Sequence, residues 1–156
     1  MPIEQRTKEG EAVTALILEA FRLNGRLLIA GDRLVSDLGL TSARWQILGA
    51  IAYAQRPESV AWHARTMGVH RQGVQRIVNE LHKEGIVEFE PNPQHKRAQF
   101  VVLTQKGRHL YEAADARQAP WVNDLSKGLS PEEIMTAQKV VGLLRSRLED
   151  ASTQAD

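Results

Sequence analysis

Apolar side chains recur at steps of three and four residues along the first part of the chain, which is typical of helices that bury one face. The positions in the first run are Val13, Leu16, Ile17, Ala20, Leu23, Leu27, Leu34 and Leu38. Gly39 ends this first predicted helix, because glycine readily adopts the left-handed conformation found just beyond helix ends. Thr41 can cap a second helix that runs to Ala54, shortly before Pro57. The pattern therefore predicts two helices in this part of the chain.

The next segment has the pattern of a short helix, a glycine turn and another helix. Ser59 is a good cap for a helix over Val60 to Met67, and Gly68 can stop it. After a turn of three residues, helical spacing resumes and continues to Gly85. Its apolar positions are Val74, Ile77, Val78 and Leu81. This order of elements predicts a helix-turn-helix.

Beyond Gly85 the apolar period changes to two, which predicts strands at residues 86–90 and 98–103 and a hairpin tip at 91–97. Thr104 begins a further predicted helix, which Pro120 should kink or divide. The run from Ser130 to Glu133 has the cap, the proline and the glutamate of a complete helix start. The predicted fold class is mainly α with a small β-wing.

The net charge of +1, from 20 Lys+Arg and 19 Asp+Glu, hides an uneven distribution along the chain. Residues 1–55 carry six basic and six acidic side chains, residues 56–110 nine and five, and residues 111–156 five and eight. The three balances are therefore 0, +4 and −3. A basic middle segment on a near-neutral chain indicates a local surface for a polyanion.

Other composition features exclude several classes of protein. The chain has no cysteine, which excludes disulfides, thiolate zinc sites and thiol redox sensing. No secretory signal pattern and no run of ~20 apolar residues is visible, so we expect a soluble, cytoplasmic protein without membrane contact. The five histidines show no zinc-binding spacing, and no nucleotide-binding or catalytic motif is recognisable. We therefore predict no metal, no cofactor and no enzymatic activity.

Two long windows contain basic residues and no carboxylate. Residues 59–79 hold Arg65, Arg71 and Arg76 with two histidines, and residues 91–111 hold Lys96, Arg97, Lys106 and Arg108. One window falls on the helix-turn-helix and the other on the hairpin, as expected for a surface that meets phosphates. Ordinary solvated charges are the alternative for any single arginine, but the combined context favours nucleic-acid binding.

The second helix of the motif has an outward face suited to reading bases. If its apolar residues face the core, the outward positions are Arg71, Gln72, Gln75, Arg76 and Asn79. Arginine can bind the O6 and N7 of guanine, and glutamine the N6 and N7 of adenine, in the major groove. Gly73 between them allows close approach of the backbone. The full set of predicted DNA-binding residues is Arg65, His70, Arg71, Gln72, Gly73, Gln75, Arg76, Asn79, Lys96 and Arg97.

These residues resemble the multiple-antibiotic-resistance regulator (MarR) family of winged-helix transcription factors. The segments that carry the resemblance are LTSARW at 40–45, MGVHRQGVQR at 67–76, LHKEGIV at 81–87 and VLTQKG at 102–107. The resemblance implies a homodimer with two winged helices on successive major grooves, released from DNA by a small molecule. It also implies dimerisation helices at residues 1–40 and 111–156, around a DNA-binding region at 41–110.

Two positions depart from the family pattern. His95 stands where the family usually has an aspartate that pairs with the wing arginine, so the positioning of Arg97 is an open question. His63 replaces a usual leucine, and it is either a hydrogen-bonded core residue, a phosphate contact or a ligand group. We favour the core role for it.

Candidate ligand-binding residues for an aromatic or anionic effector are Arg26, Trp45 and His63. Packing is the alternative for Trp45, and a solvated or dimer-facing position is the alternative for Arg26. The leading hypothesis is a ligand-responsive, sequence-specific DNA-binding repressor that acts as a homodimer on a pseudo-palindromic operator. The alternative is a winged helix that contacts an acidic protein and has no sequence-specific DNA binding.

Overall fold

The computed structural model describes residues 4–153 of the chain. The helices are α1 (Lys8–Val35), α2 (Ser42–Tyr53), α3 (Val60–Met67), α4 (Arg71–Lys83), α5 (Gln105–Leu125) and α6 (Pro131–Thr153). The strands are β1 (Glu58–Ser59), β2 (Val87–Glu90) and β3 (Phe100–Leu103), and they form one antiparallel sheet in the order β1-β3-β2. A 3₁₀ turn (Ser36–Leu38) links α1 to α2. This architecture confirms the predicted mainly α fold with a small β-wing.

The helix boundaries follow the capping residues that the sequence indicated. Thr41 accepts a hydrogen bond from the backbone N–H of Arg44 at 3.2 Å. Ser59 accepts one from the N–H of Trp62, also at 3.2 Å. Gly68 ends α3 with a φ of +68°, a left-handed conformation that residues with a Cβ rarely adopt. These local signals therefore define the limits of the helix-turn-helix.

Two features of the fold differ from the prediction. Strand β1 was not predicted, because its two residues are too few to show a period of two, and it exists only through pairing with β3. Of the two outcomes predicted for Pro120, a kink or a break, the break does not occur, since α5 continues through it to Leu125. Proline removes a single N–H, and the exposed helix turn before it lets water satisfy the carbonyl that loses its partner.

The hydrophobic core lies among α2, α3, α4, the sheet and the end of α1. Its fully buried members include Val35, Leu48, Val78, Leu81 and Val101. Among the described residues, α1 buries only Gly31 and Val35, and α6 buries none. The core therefore supports the helix-turn-helix and the hairpin, while most of the apolar side chains of α1 and α6 stay exposed.

A close contact fixes the end of α1 against the start of α2. A Cβ on Gly31 would lie 2.2 Å from Oγ of Ser42, so only glycine fits there. The Ser42 hydroxyl donates to the carbonyl of Leu28 at 2.7 Å, and its backbone N–H donates to Oδ1 of Asp32 at 2.6 Å. Gly31 thus has a packing role, in addition to weakening the helix.

The chain divides into two compact units, one ending at Gln118 and the other beginning at Ala119. The first unit contains α1 to α4, the sheet and most of α5, and the second contains the end of α5 and α6. The roles predicted for segments 1–40, 41–110 and 111–156 remain predictions, and both outer segments extend beyond the described residues. No helix in residues 4–153 combines the length and apolar character needed to span a bilayer.

Candidate nucleic-acid interface

Helix α4 presents a polar face to solvent and an apolar face to the core. Val74, Val78 and Leu81 are buried, and Ile77 is half-buried. The outward positions carry Arg71, Gln72, Gly73, Arg76 and Asn79, all exposed, together with the half-buried Gln75. His70 is also exposed, at the N-cap position of α4, and its side chain makes no capping hydrogen bond. The structure therefore places the predicted base-reading residues on one accessible helix face.

A groove separates this face of α4 from the wing, which consists of β2, β3 and the tip at residues 91–99. The groove has a volume of about 240 Å³. Arg71, Gln75 and Asn79 line it from α4, and Arg97 lines it from the wing. We call it the α4–wing groove. It brings together candidates from both acid-free windows, which are far apart in sequence.

Charge pairing divides the arginines of this surface into two groups. Nη1 of Arg76 lies 3.2 Å from Oε1 of Glu80, one turn along α4. The acid-free window ended one residue before Glu80, so sequence reasoning missed this partner. In the part of the chain that the structure describes, Arg71 and Arg97 form no ion pair. The charges of Arg71 and Arg97, which border the groove, are therefore available to an external anion, and the exposed Arg65 likewise forms no ion pair within residues 4–153.

The amides of α4 are also partly engaged with each other. Nε2 of Gln75 donates to Oδ1 of Asn79 at 2.9 Å. This bond holds both side chains along the helix face, and the second N–H of Gln75 remains available for another acceptor. Reading a base would require Gln75 either to use this second donor or to exchange its intrahelical bond.

An asparagine orders the tip of the wing. Nδ2 of Asn92 donates to the carbonyl of Ala98 at 2.9 Å, and Oδ1 of Asn92 accepts from the N–H of Gln94 at 3.1 Å. His95 contributes through its backbone, which accepts from the N–H of Ala98 at 3.0 Å. The sequence signal for this role was Asn92 between two prolines, which is typical of a side chain that closes a turn on its own backbone. Asn92 thus shapes the loop that carries Arg97.

The other exposed candidates lie around the same wing. Lys96 is exposed at the tip, and Arg65 is exposed on α3. Arg65 lines a separate groove of about 380 Å³ with Trp62 of α3 and the tip residues from Asn92 to His95. Arg65 therefore lines a different groove from Arg71 and Arg97, although Ser59 borders both grooves.

Lys106, in contrast, has a structural role, although its window suggested a phosphate contact. Its Nζ donates to the carbonyl of Glu84 at the end of α4, at 2.7 Å. The hydroxyl of Thr104 donates to the carbonyl of Gly85 at 2.6 Å, and a Cβ on Gly107 would lie 2.0 Å from the carbonyl oxygen of Ile86. This segment therefore fastens the start of α5 to the end of α4.

The structure does not bring the three candidate ligand residues together. Arg26 is exposed on α1, and Trp45 lines a groove between α2 and α5. His63 is 1% exposed, and neither ring nitrogen has a hydrogen-bond partner among residues 4–153. The imidazole makes an edge-to-face contact with Trp62, with ring centroids 5.2 Å apart. His63 thus lacks the hydrogen bond expected of a core histidine, and it is too deeply buried to contact a phosphate.

Burial also determines the protonation of His63. Desolvation lowers the pKa of His63, and the nearby carboxylate of Glu58 only partly opposes this effect. Glu58 is itself paired with Arg56, whose Nε lies 2.7 Å from Oε1. His63 is therefore a neutral core residue at neutral pH.

The comparisons with known proteins connect these observations to a family. Residues 38–98 match the model of the MarR family. An uncharacterized protein of Mycobacterium tuberculosis is 33% identical over 128 residues, which is 82% of this chain and 88% of that protein. The transcriptional activatory protein BadR of Rhodopseudomonas palustris is 30% identical over 107 residues, covering 65% of this chain and 59% of BadR.

Solved structures show the same fold. The structure of the transcriptional regulator PA3341 is 27% identical, covers 90% of this chain and 98% of its own, and has a TM-score of 0.70. The structure of CouR from Rhodococcus jostii RHA1, bound to p-coumaroyl-CoA, is 23% identical. It covers 83% of this chain and 86% of its own, with a TM-score of 0.63. The likeness to CouR concerns the fold alone.

Proposed function

Because the chain belongs to the MarR family of winged-helix, DNA-binding transcriptional regulators, we propose that it is a ligand-responsive repressor that binds a pseudo-palindromic operator as a homodimer. The observation that carries this proposal is the α4–wing groove. Arg71 and Arg97 border it from two elements, and both lack an internal carboxylate partner in the described chain.

The chemistry of the two sides of the groove supports a division of labour. Arg71 and Gln75 on α4 have the donor geometry for guanine and adenine edges in the major groove. Arg97 is on a loop tip, where a single charged side chain suits a phosphate or the adjacent minor groove. We therefore assign sequence reading to α4 and backbone anchoring to the wing.

The exposed apolar residues of α1 and α6 support self-association. Phe21 is 71% exposed on α1, and Leu148 is 70% exposed on α6. Large apolar side chains exposed along a helix are typical of contact sites with other proteins. A two-fold homodimer would present two copies of α4, with half-site centres about 10 bp apart. In this proposal the bound dimer represses transcription by occupying the promoter. Activation is the alternative to test, because the relative BadR is named as a transcriptional activatory protein.

A ligand response is supported by the groove between α2 and α5, which borders the DNA-binding elements. CouR is a structural relative with a bound small molecule. A ligand held between these helices can change the position of α4, because Thr104 and Lys106 connect the start of α5 to the end of α4. The proposal thus gives the ligand a physical route to the DNA surface.

An electrophoretic mobility shift on the DNA beside the protein's own gene tests the proposal. We expect the wild type and Arg22→Ala to shift this DNA, and Arg71→Ala to shift it far more weakly. Arg22 is a matched control, because it is an exposed arginine on α1 and remote in sequence from the groove. No shift at low salt would contradict DNA binding and favour a protein partner for the basic face. A promoter fusion that loses expression on deletion of the regulator would contradict repression.

A further inference from the structure

The groove between α2 and α5 contains three aromatic rings and one charge. Trp45 and Tyr53 line it from α2, and Tyr111 and Asp115 line it from α5. Its volume is about 240 Å³, and Gln46 and Gln118 supply amide groups. We call it the α2–α5 groove. No lysine, arginine or histidine is among its described lining residues.

The rings of Tyr53 and Tyr111 are nearly perpendicular to each other. Tyr53 and Tyr111 meet edge to face, with ring centroids 6.0 Å apart and planes at 87°. Gly49 lies beside this pair, and a Cβ there would make an ordinary van der Waals contact with Cε2 of Tyr111 at 3.6 Å. Two perpendicular rings and an indole line the groove, and the faces of such rings carry negative electrostatic potential.

Asp115 supplies a negative charge that nothing in the described chain neutralises. Its carboxylate is exposed and takes part in no ion pair or side-chain hydrogen bond within residues 4–153. Burial raises the pKa of Tyr111, and Tyr53 and Asp115 raise it further, so the phenol stays neutral under physiological conditions. The groove therefore has a net negative charge and, among its described lining residues, no cationic side chain that could pair with an anion.

From this geometry we infer that the α2–α5 groove binds an organic cation, an aromatic or alkyl amine, and that this cation is the effector of the regulator. Cations are attracted to aromatic faces and to a carboxylate, whereas an anion would be repelled by both. The sequence had suggested an aromatic or anionic effector, with Arg26 as its partner. Arg26 is not among the groove's lining residues, so the charge that selects the ligand is that of Asp115. The effector role rests on the proposed function, but the binding preference does not.

Three phenyl compounds of similar size and different charge test the preference: 2-phenylethylammonium, 2-phenylethanol and phenylacetate. Calorimetry on the full chain without DNA should rank them in that order, with the ammonium at least tenfold tighter than the alcohol and no measurable binding of phenylacetate. Equal or tighter binding of phenylacetate would overturn the inference. So would equal affinities for the ammonium and the alcohol.

Substitutions then locate the binding site. Asp115→Asn should lower the ammonium affinity about tenfold and leave the alcohol unchanged, while Glu112→Gln, an exposed acid on the same helix outside the groove lining, should change neither. Tyr53→Leu should weaken the ammonium more than the alcohol. It is a safe change for folding, since Tyr53 is 75% exposed. Unchanged selectivity in Asp115→Asn would overturn the assignment of the site.

The effector role has a separate readout. In a mobility shift, 2-phenylethylammonium should release the wild type from its DNA at concentrations that leave Asp115→Asn bound. If the ammonium binds selectively but leaves the DNA complex intact, the effector part of the inference fails. If the protein shifts no DNA at all, the proposed function fails, while calorimetry still decides the ligand preference.

Discussion

The α4–wing groove and the α2–α5 groove, both in the first compact unit, have the same size and opposite charge. Each has a volume of about 240 Å³. Arg71 and Arg97 border the α4–wing groove and Asp115 borders the α2–α5 groove, and none of the three forms an ion pair within residues 4–153. Size therefore does not separate their ligands. The sign of the available charge does, and it assigns a polyanion to one groove and a cation to the other.

The same comparison shows why counting charges in a sequence window is insufficient. Arg76 and Lys106 lie in or beside the basic surface, but Glu80 pairs with Arg76 and the carbonyl of Glu84 accepts from Lys106. What distinguishes Arg71 and Arg97 is the absence of such partners within the described chain. The predictions below test whether these unpaired charges control the two grooves, in order of decreasing effect.

Arg71→Ala should have the largest effect on operator binding. Loss of a bidentate base contact costs about 1–3 kcal/mol, or roughly 5- to 150-fold in Kd. Arg76→Ala should reduce operator affinity less, because the charge of Arg76 is already paired with Glu80. Fluorescence anisotropy with an operator duplex measures both, and Arg22→Ala is the control. Equal losses for Arg71→Ala and Arg76→Ala would show that internal pairing does not rank these arginines.

His63→Leu tests whether the buried histidine in the core lowers the stability of the fold at low pH. Both buried ring nitrogens lack partners, so leucine should stabilise the fold by about 1–2 kcal/mol. The wild type should lose stability as the pH falls below the ordinary histidine value of 6.5. In that range the unfolded chain binds a proton that the folded chain, with its lowered His63 pKa, does not.

Urea unfolding at pH 7.5 and pH 5.5 measures this difference. The loss of stability between the two pH values should shrink in His63→Leu. It should persist in His109→Leu, where the same change is made at an exposed position. An equal loss in all three proteins would show that His63 does not carry the pH dependence.

Arg97→Ala should weaken operator binding by roughly 3- to 10-fold without changing the preferred sequence, because the wing contacts the backbone. The slope of log K against log salt should fall by about 1. Selection of binding sites from random DNA, repeated with the variant, checks the preference. A changed preference at particular base pairs would assign base reading to the wing as well.

The sequence was sufficient to predict the elements whose boundaries depend on local chemistry. Ser59, Gly68 and Thr41 act through hydrogen bonds or backbone angles within a few residues, so their effects can be read along the chain. The outward face of α4 also followed from helical spacing. Strand β1 could not be predicted, because its two residues become a strand only by pairing with β3.

The features of the candidate sites that the sequence did not predict also depend on contacts between residues far apart in the chain. Tyr53 and Tyr111 are far apart in sequence, and only the packing of α2 on α5 makes them one wall of a groove. The missing hydrogen bond of His63 depends likewise on which groups surround it in the core. Periodicity describes which face of a helix is buried, but it does not describe which residues meet across helices.

Asp115→Asn should have the smallest effect on operator binding in the absence of ligand, less than about twofold in Kd. Asp115 does not line the α4–wing groove, and dissolved salt screens the interactions of exposed charges that are not in contact. Anisotropy at low and moderate salt measures the change. A clear gain in DNA affinity at both salt concentrations would mean that the carboxylate opposes DNA directly, and the two grooves would then share one electrostatic surface. An unchanged affinity, together with loss of the response to 2-phenylethylammonium, would establish that they act separately and communicate only through a bound ligand.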